Sequence, residues 1–187
     1  MTGAEQEVLL KIARQSIRRA VGMTTGEPAP SRANNTGRLA EPGGAFVTLH
    51  LNGRLRGCIG YIESGLPVAE VVSEVAVKAA LQDPRFPPVT RGEVEQLQIE
   101  ISLLTPMVPV RDPSEIQVGT HGLLLELGGR RGLLLPQVAT EQKWEREEFL
   151  ENTAWKAGLP RDAWKDPNAR LYRFSAEIIE EHHATTR

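Results

Sequence analysis

The sequence predicts an α+β fold: a mainly antiparallel sheet with helices packed on it. Runs of alternating apolar residues come in pairs joined by tight-turn signals, Gly44 to Leu51 before Asn52-Gly53 and Leu123 to Leu127 before Gly128-Gly129. Apolar stripes at helical spacing fall between these pairs irregularly, without the strand–helix alternation of a parallel sheet. A chain of 187 residues fits one domain with a sizeable core.

Taken in order, Thr2 and Glu5 have the spacing of a capping box, and Val8, Leu9, Ile12, Ala13, Ile17 and Ala20 recur as on one helix face, so residues 4–21 read as an amphipathic helix. Residues 24–43, rich in Pro, Gly, Ser and Asn, read as a long surface loop. Residues 45–60 read as a hairpin whose register decides where Cys58 points. A two-residue Asn-Gly loop would place Val47 and Leu49 on the face of Arg54, Arg56 and Cys58. A three-residue loop with a bulge gathers Ala45, Val47, Leu49, Leu55 and Ile59 toward the core and leaves Thr48, His50, Arg54, Arg56 and Cys58 opposite. The second register is preferred because it buries no unpaired guanidinium.

Pro67 opens a helix with Val68, Val71, Val72, Val75, Ala76 and Ala79 as its stripe, and Asp83-Pro84 ends it. Arg85 to Pro88 form a stiff extended segment, able to act as a ligand wall or as a plug that buries Phe86. Thr90 and Glu93 repeat the capping-box spacing. From Leu97 to Thr105, Ile99, Ile101 and Leu103 alternate with Gln98, Glu100 and Ser102. Residues 106–118 are a Pro-punctuated connection with a helical turn capped by Asp112, and His121 stands at the entrance of the second hairpin. Glu145 to Ala157 read as a helix closed by Gly158, with Trp144 and Trp155 as packing residues; Leu171 to Ile179 read as one final strand, and residues 181–187 as a polar tail.

A formal charge of −2 gives no global basic field, which makes nucleic acid an unfavoured partner, carried only by the Arg54 and Arg56 pair. One cysteine excludes an intramolecular disulfide and any multi-cysteine metal centre, and suits a reducing cytoplasm. No stretch of 18 apolar residues is present and residues 1–20 have no signal-peptide pattern, so no membrane role is expected. No cofactor or metal is assigned; His50, Cys58, Glu100 and His121 lack the spacing of a recognised zinc motif.

Cys58 among Arg54 and Arg56 is expected to have a lowered thiol pKa, against the competing reading of a buried, inert thiol. Gly57 and Gly60 lack side chains and admit a close approach to the backbone. Taken as nucleophile, base and orienter, Cys58, His121 and Glu100 make a candidate catalytic set, with Arg56 anchoring an anionic substrate; Arg85 and Phe86 add a recognition surface.

The segments Gly44 to Leu49, Leu55 to Gly60, Asp83 to Pro88, Glu100 to Leu104, His121-Gly122, Leu135 to Ala139 with Trp144, and Lys156 to Leu159, in this order, resemble the AMME chromosomal-region protein family, whose prokaryotic members are called AmmeMemoRadiSam system protein A. The resemblance covers residues 5–180 of a single domain spanning 1–187. Thr153-Ala154-Trp155 depart from the Cys-Leu-type segment of many relatives. The resemblance implies an α+β fold with a larger and a smaller subdomain around a cleft, and functional association with a radical-SAM enzyme and a Memo-like protein. It supplies no reaction. The resulting expectation is a cleft-bearing accessory or ligand-binding component, possessing a reactive thiol at Cys58, for a small-molecule ligand; the alternatives are a Cys58/His121 enzyme acting on a small anion and a nucleic-acid-binding protein.

Overall fold

The structure, a computed structural model, describes residues 1–23 and 36–181. Most of the expected 24–43 loop and the tail beyond Glu181 lie outside the described residues. The fold is α+β, and the strands divide between two four-stranded sheets. The chain forms two compact units, Met1–Leu103 joined by the segment from Ile178 onward, and Leu104–Glu177.

In the first unit the sheet has the order β2-β1-β3-β8, from β1 (Ala45–Leu51), β2 (Arg54–Tyr61), β3 (Leu97–Leu104) and β8 (Ala176–Glu180). Helices α1 (Gly3–Ala20) and α2 (Val68–Leu81) cover one face. The reciprocal Thr2/Glu5 capping box starts α1 as the spacing predicts. Its Leu9, Ile12, Ala13 and Ile17 meet Val71, Val72, Val75 and Ala79 of α2 and Ala45, Val47, Leu49, Ile99 and Ile101 of the sheet in one buried cluster. Burying this alternate set is what fixes the sheet's register. Arg14 fastens the far side, donating to the carbonyls of Val94 and Leu97 and pairing with Glu181, whose carboxylate also accepts the Ile99 N–H.

The first hairpin corrects the expected turn. Leu51 pairs with Arg54, so the loop is the two residues Asn52 and Gly53, at φ 52° and 73°. The bulge lies deeper, where Leu49 faces Gly57 and His50 faces Leu55, leaving Arg56 as the extra residue. Beyond the bulge the phase is the preferred one, with Ile59 opposite Val47 and Cys58 opposite Thr48. Before it the phase inverts: Leu55 joins His50 and is 41% exposed instead of entering the core.

In the second unit β4 (Val108–Pro109), β7 (Arg170–Phe174), β5 (Gly122–Leu127) and β6 (Arg130–Leu134) lie in that order, every ladder antiparallel. Helix α5 (Arg146–Lys156) packs Phe149, Leu150 and Ala154 against Leu123, Leu125 and their neighbours. Asp112 caps the turn Pro113–Glu115 as expected, accepting the Ser114 N–H at 2.7 Å. Helix α3 (Arg91–Val94) of the first unit follows the expected Thr90/Glu93 capping box, whereas α4 (Pro136–Glu141), opened by Pro136 in its first turn, was not expected.

The expected single strand over Leu171–Ile179 is in fact two, β7 and β8, each in a different sheet. The ladder breaks at Ser175, whose N–H goes to Thr105 Oγ1 at 2.8 Å while its carbonyl accepts the Thr105 N–H at 2.8 Å. A continuous alternation survives the break, which is why periodicity alone does not reveal it. Trp155 also departs from expectation: Trp144 packs on the core of this unit, whereas Trp155 is 65% exposed beneath the Arg161 guanidinium.

Candidate functional site

On the sheet face of the first unit that α1 and α2 do not cover, register aligns Cys58, Thr48 and Glu100 across β2, β1 and β3. The next rung holds Gly60, Phe46 and Ser102. Thr48 Oγ1 donates to Cys58 Sγ at 3.3 Å. Ser102 is fully buried, and its hydroxyl has no hydrogen-bond partner among the described residues. This face therefore concentrates polar groups where the sheet's alternation sends every second residue away from the core.

Asp83, directly after α2, organises the backbone around Cys58. Its Oδ2 accepts the Cys58 N–H at 2.8 Å and the Arg85 Nη2–H at 2.7 Å, and its Oδ1 accepts the Arg85 N–H and Nε–H, each at 3.0 Å. Arg85 in turn donates to the Cys58 carbonyl at 3.3 Å and lies over the half-buried Phe86 ring at 5.5 Å. The Arg85 guanidinium, aided by the two backbone donors, holds the buried Asp83 carboxyl well below the usual carboxylate range.

The expected lowering of the thiol pKa is reversed. Burial pushes the Cys58 thiol up, and the Asp83 and Glu100 carboxylates add to the rise; the Thr48 hydroxyl and Arg85 pull the other way and do not prevail. The cations anticipated from sequence are elsewhere. Arg54 pairs opposite Leu51, at the turn end of the hairpin. Arg56, the bulged residue, has a side chain only 12% exposed and is occupied within the fold. Its Nε and Nη2 reach both Glu93 oxygens at 3.0 and 3.2 Å, and its Nη1 and Nη2 donate to the Pro87 and Pro88 carbonyls at 2.8 and 3.3 Å. Those bonds and the Thr90 cap draw Glu93 down to about 2.

Gly57 and Gly60 admit close approach, as expected, but what approaches is the protein. A Cβ at Gly57 would overlap the Ala79 carbonyl of α2, and one at Gly60 would overlap the Phe46 ring and the Ala45 carbonyl. Of the predicted recognition residues of this unit, Arg85 and Phe86 remain partly open to solvent beside Cys58, while Arg56, Gly57 and Gly60 serve packing. Asp83 and Thr48 were missed as partners of Cys58. The signal for Asp83 was its position before Pro84 and two residues before Arg85, where an Asp side chain captures the backbone N–H two residues on.

His121 belongs to the second unit, Cys58 and Glu100 to the first. The turn Gln117–His121 closes through His121 N–H to the Gln117 carbonyl at 2.9 Å, and the Gln117 N–H donates to His121 Nδ1 at 3.0 Å. The Gln117 N–H and the Arg173 guanidinium thus face the two ring nitrogens, and a neutral imidazole accepts from only one of them. Burial and Arg173, whose Nη1 stands 3.3 Å from Nε2, lower the His121 pKa; the Glu115 backbone carbonyl opposes them. Both ring nitrogens are thus engaged within the fold. Among the described residues no three His, Cys, Asp or Glu side chains are grouped to hold a metal ion, and no helix is long and apolar enough to cross a membrane.

Comparison with known proteins places these motifs in a wider set. A protein of Methanothermobacter thermautotrophicus is 46% identical over 183 residues, covering 95% of this chain and 94% of its own. Protein PH0010 of Pyrococcus horikoshii is 41% identical over 187 residues, covering 95% of this chain and 90% of its own. The crystal structure of that uncharacterized protein superposes with a TM-score of 0.89 at 39% identity, covering 98% of this chain and 94% of that one. The AMMECR1 family model matches residues 10–179, and the chain belongs to the AMMECR1 family.

Proposed function

We propose that this chain is a ligand-binding accessory component acting with a radical-SAM enzyme and a Memo-like protein, with Glu100, Arg85 and Phe86 in the recognition surface and Cys58, bound to its proton, as a packing residue beside them. The observation that carries this reading is the balance at Cys58: burial raises the thiol while Asp83 offsets the one adjacent guanidinium. A resting thiolate nucleophile needs the opposite balance. The engagement of both His121 nitrogens, by the Gln117 N–H and by Arg173, points the same way, since a general base must present a free lone pair. Placement in a reducing cytoplasm follows from the partners and belongs to this proposal.

The test is capture of a radical-SAM and a Memo-like protein from the same source by the purified chain, with native mass spectrometry for a co-purifying small molecule. Wild type, Cys58→Ala and alkylated protein are expected to bind alike, and Arg85→Ala to bind several-fold more weakly. Turnover of any small anion by wild type that Cys58→Ala abolishes would replace this reading with the cysteine-enzyme one.

A further inference from the structure

The two edges of the first unit's sheet are treated differently. At the β2 edge a bulge interrupts the strand at Arg56, and the backbone of Cys58 is occupied, its N–H by Asp83 and its carbonyl by Arg85. At the other edge β8 has β3 as its one neighbour in the sheet. The Glu181 N–H reaches the Ile99 carbonyl of β3 at 3.0 Å, so the alternation of a strand turns Ile179 toward β3 and the N–H and C=O groups of Ile178 and Glu180 away from it. Among the described residues these four outward groups have no hydrogen-bond partner. An edge left in this state is a template for another strand.

A groove of about 690 Å³ lies along this edge. Four consecutive residues, Ile178 to Glu181, line one wall, so the strand's backbone and not a single face forms it; α1 supplies the other wall, with Leu10 between Glu7 and Lys11. Ile178 is 40% exposed there, while Ile179 is buried in the core. Charge selects what fits. Arg14 pairs with Glu181 and Arg18 with Glu95, and among the other charged residues of the walls Glu7 and Glu180 outnumber Lys11. A second copy of this edge would bring more carboxylate to carboxylate, whereas a cationic strand meets Glu180 with the opposite sign.

We propose that the β8 edge takes up an extended, basic segment of a partner protein as a fifth strand of this four-stranded sheet. The outward groups of Ile178 and Glu180 supply the backbone hydrogen bonds, which give affinity for any extended chain. Side chains supply the selection: apolar residues at alternate positions lie against Leu10 of α1, and lysine or arginine on the other face meets Glu180. Neither Cys58 nor Arg85 takes part, so this edge binds its segment whether or not the Cys58 face binds a ligand.

Amide hydrogen exchange followed by NMR tests this on the intact protein, with a capped peptide of about six residues, the length of an ordinary strand, alternating valine and lysine as the probe. Saturating peptide is expected to slow exchange at the Ile178 and Glu180 amides about tenfold and to leave the β2 amides unchanged. The same peptide N-methylated at every amide, or with glutamate in place of lysine, is expected to give no protection. Ile178→Pro removes an outward donor and spares the bonds to β3, so it is expected to abolish protection at Glu180; Glu180→Lys is expected to weaken binding several-fold. Absence of protection at these two amides in wild type, or equal protection by the N-methylated or the glutamate peptide, overturns the proposal. Protection that grows with protein concentration in the absence of peptide also overturns it, by making a second copy the occupant. These wild-type readings decide the matter whether or not the Ile178→Pro variant folds.

Discussion

The two units solve the same packing problem with the same parts and differ in what they do with charge. Each has a hairpin turned by two residues of positive φ, Asn52-Gly53 in the first and Gly128-Gly129 in the second. Each sets a phenylalanine ring over a cross-strand glycine, Phe46 over Gly60 and Phe174 over Gly122. Each presses helix backbone onto a strand glycine, Ala79 of α2 at Gly57, and Thr153 and Ala157 at Gly132. Near Cys58 the guanidinium groups are matched at close range: Arg56 by Glu93 and two carbonyls, Arg85 by Asp83. Near His121 the match is looser: Arg173 Nε stands 3.9 Å from Glu115 Oε2. Scaffolding is shared and charge balance is not: closely matched ions fasten a loop in the first unit, and a longer Arg173–Glu115 pair stands beside His121 in the second.

The packing half of this comparison breaks most sharply at the glycines. Gly57→Ala drives a methyl into the Ala79 carbonyl, and Gly132→Ala drives one into the Thr153 carbonyl and the Ala157 amide. Neither neighbour is a side chain that can swing away, so each change is expected to cost about 3 kcal/mol, the upper end for overpacking. Hydrogen exchange is expected to report faster opening in β1, β2 and α2 for the first variant, and in β5, β6 and α5 for the second. Equal and modest effects spread over the whole chain for both would show that the glycines are not local wedges.

The charge half breaks next at Arg56. Arg56→Ala leaves Glu93 and the Pro87 and Pro88 carbonyls without their donors. Discounted for the partial exposure of Glu93, the loss is expected to be about 2 kcal/mol by chemical denaturation at neutral pH. The sign of its pH dependence follows from Glu93, whose folded pKa is depressed to about 2. Such a carboxylate stabilises the fold above its unfolded pKa, about 4.3, and that contribution disappears as the pH falls toward 2. The gap between wild type and variant is therefore expected to close on acidification through this window; a constant gap would remove the ion pair from the account.

Much of this scaffold is legible in the residues. The Thr2/Glu5, Thr90/Glu93 and Asp112 caps, both hairpins and the α2 stripe follow from local spacing, because each depends on contacts within a few residues. The bulge is legible in kind and not in place: segregating apolar from polar residues requires one, but the position that also satisfies Arg56 depends on Glu93 and Pro87, over 30 residues away. The break at Ser175 depends likewise on Thr105. At the candidate site, register correctly put Cys58 on the face of Thr48, away from the core, while its charge environment was misread, since Asp83 and Arg85 reach it only through the fold.

The smallest expected effect is on Cys58 itself, and it isolates the charge balance from packing. A thiol raised by burial reacts through a scarcer thiolate, so iodoacetamide at neutral pH is expected to label Cys58 in the folded protein about three- to tenfold more slowly than in the unfolded chain, the rate rising with pH through the alkaline range. Because the folded state holds this proton more tightly than the unfolded state, the thiol's contribution to stability is complete below its unfolded pKa, about 8.5, and declines as the pH rises beyond it. Asp83→Asn sharpens the point. It removes a carboxylate that raises the thiol and releases the guanidinium that lowers it, so labelling is expected to accelerate several-fold over wild type. Accessibility alone would slow the folded protein by the same factor at every pH, leaving the pH profile where the unfolded chain has it, and a slower Asp83→Asn would mean that the carboxylate's bond to the Cys58 amide, not its charge, governs the sulfur.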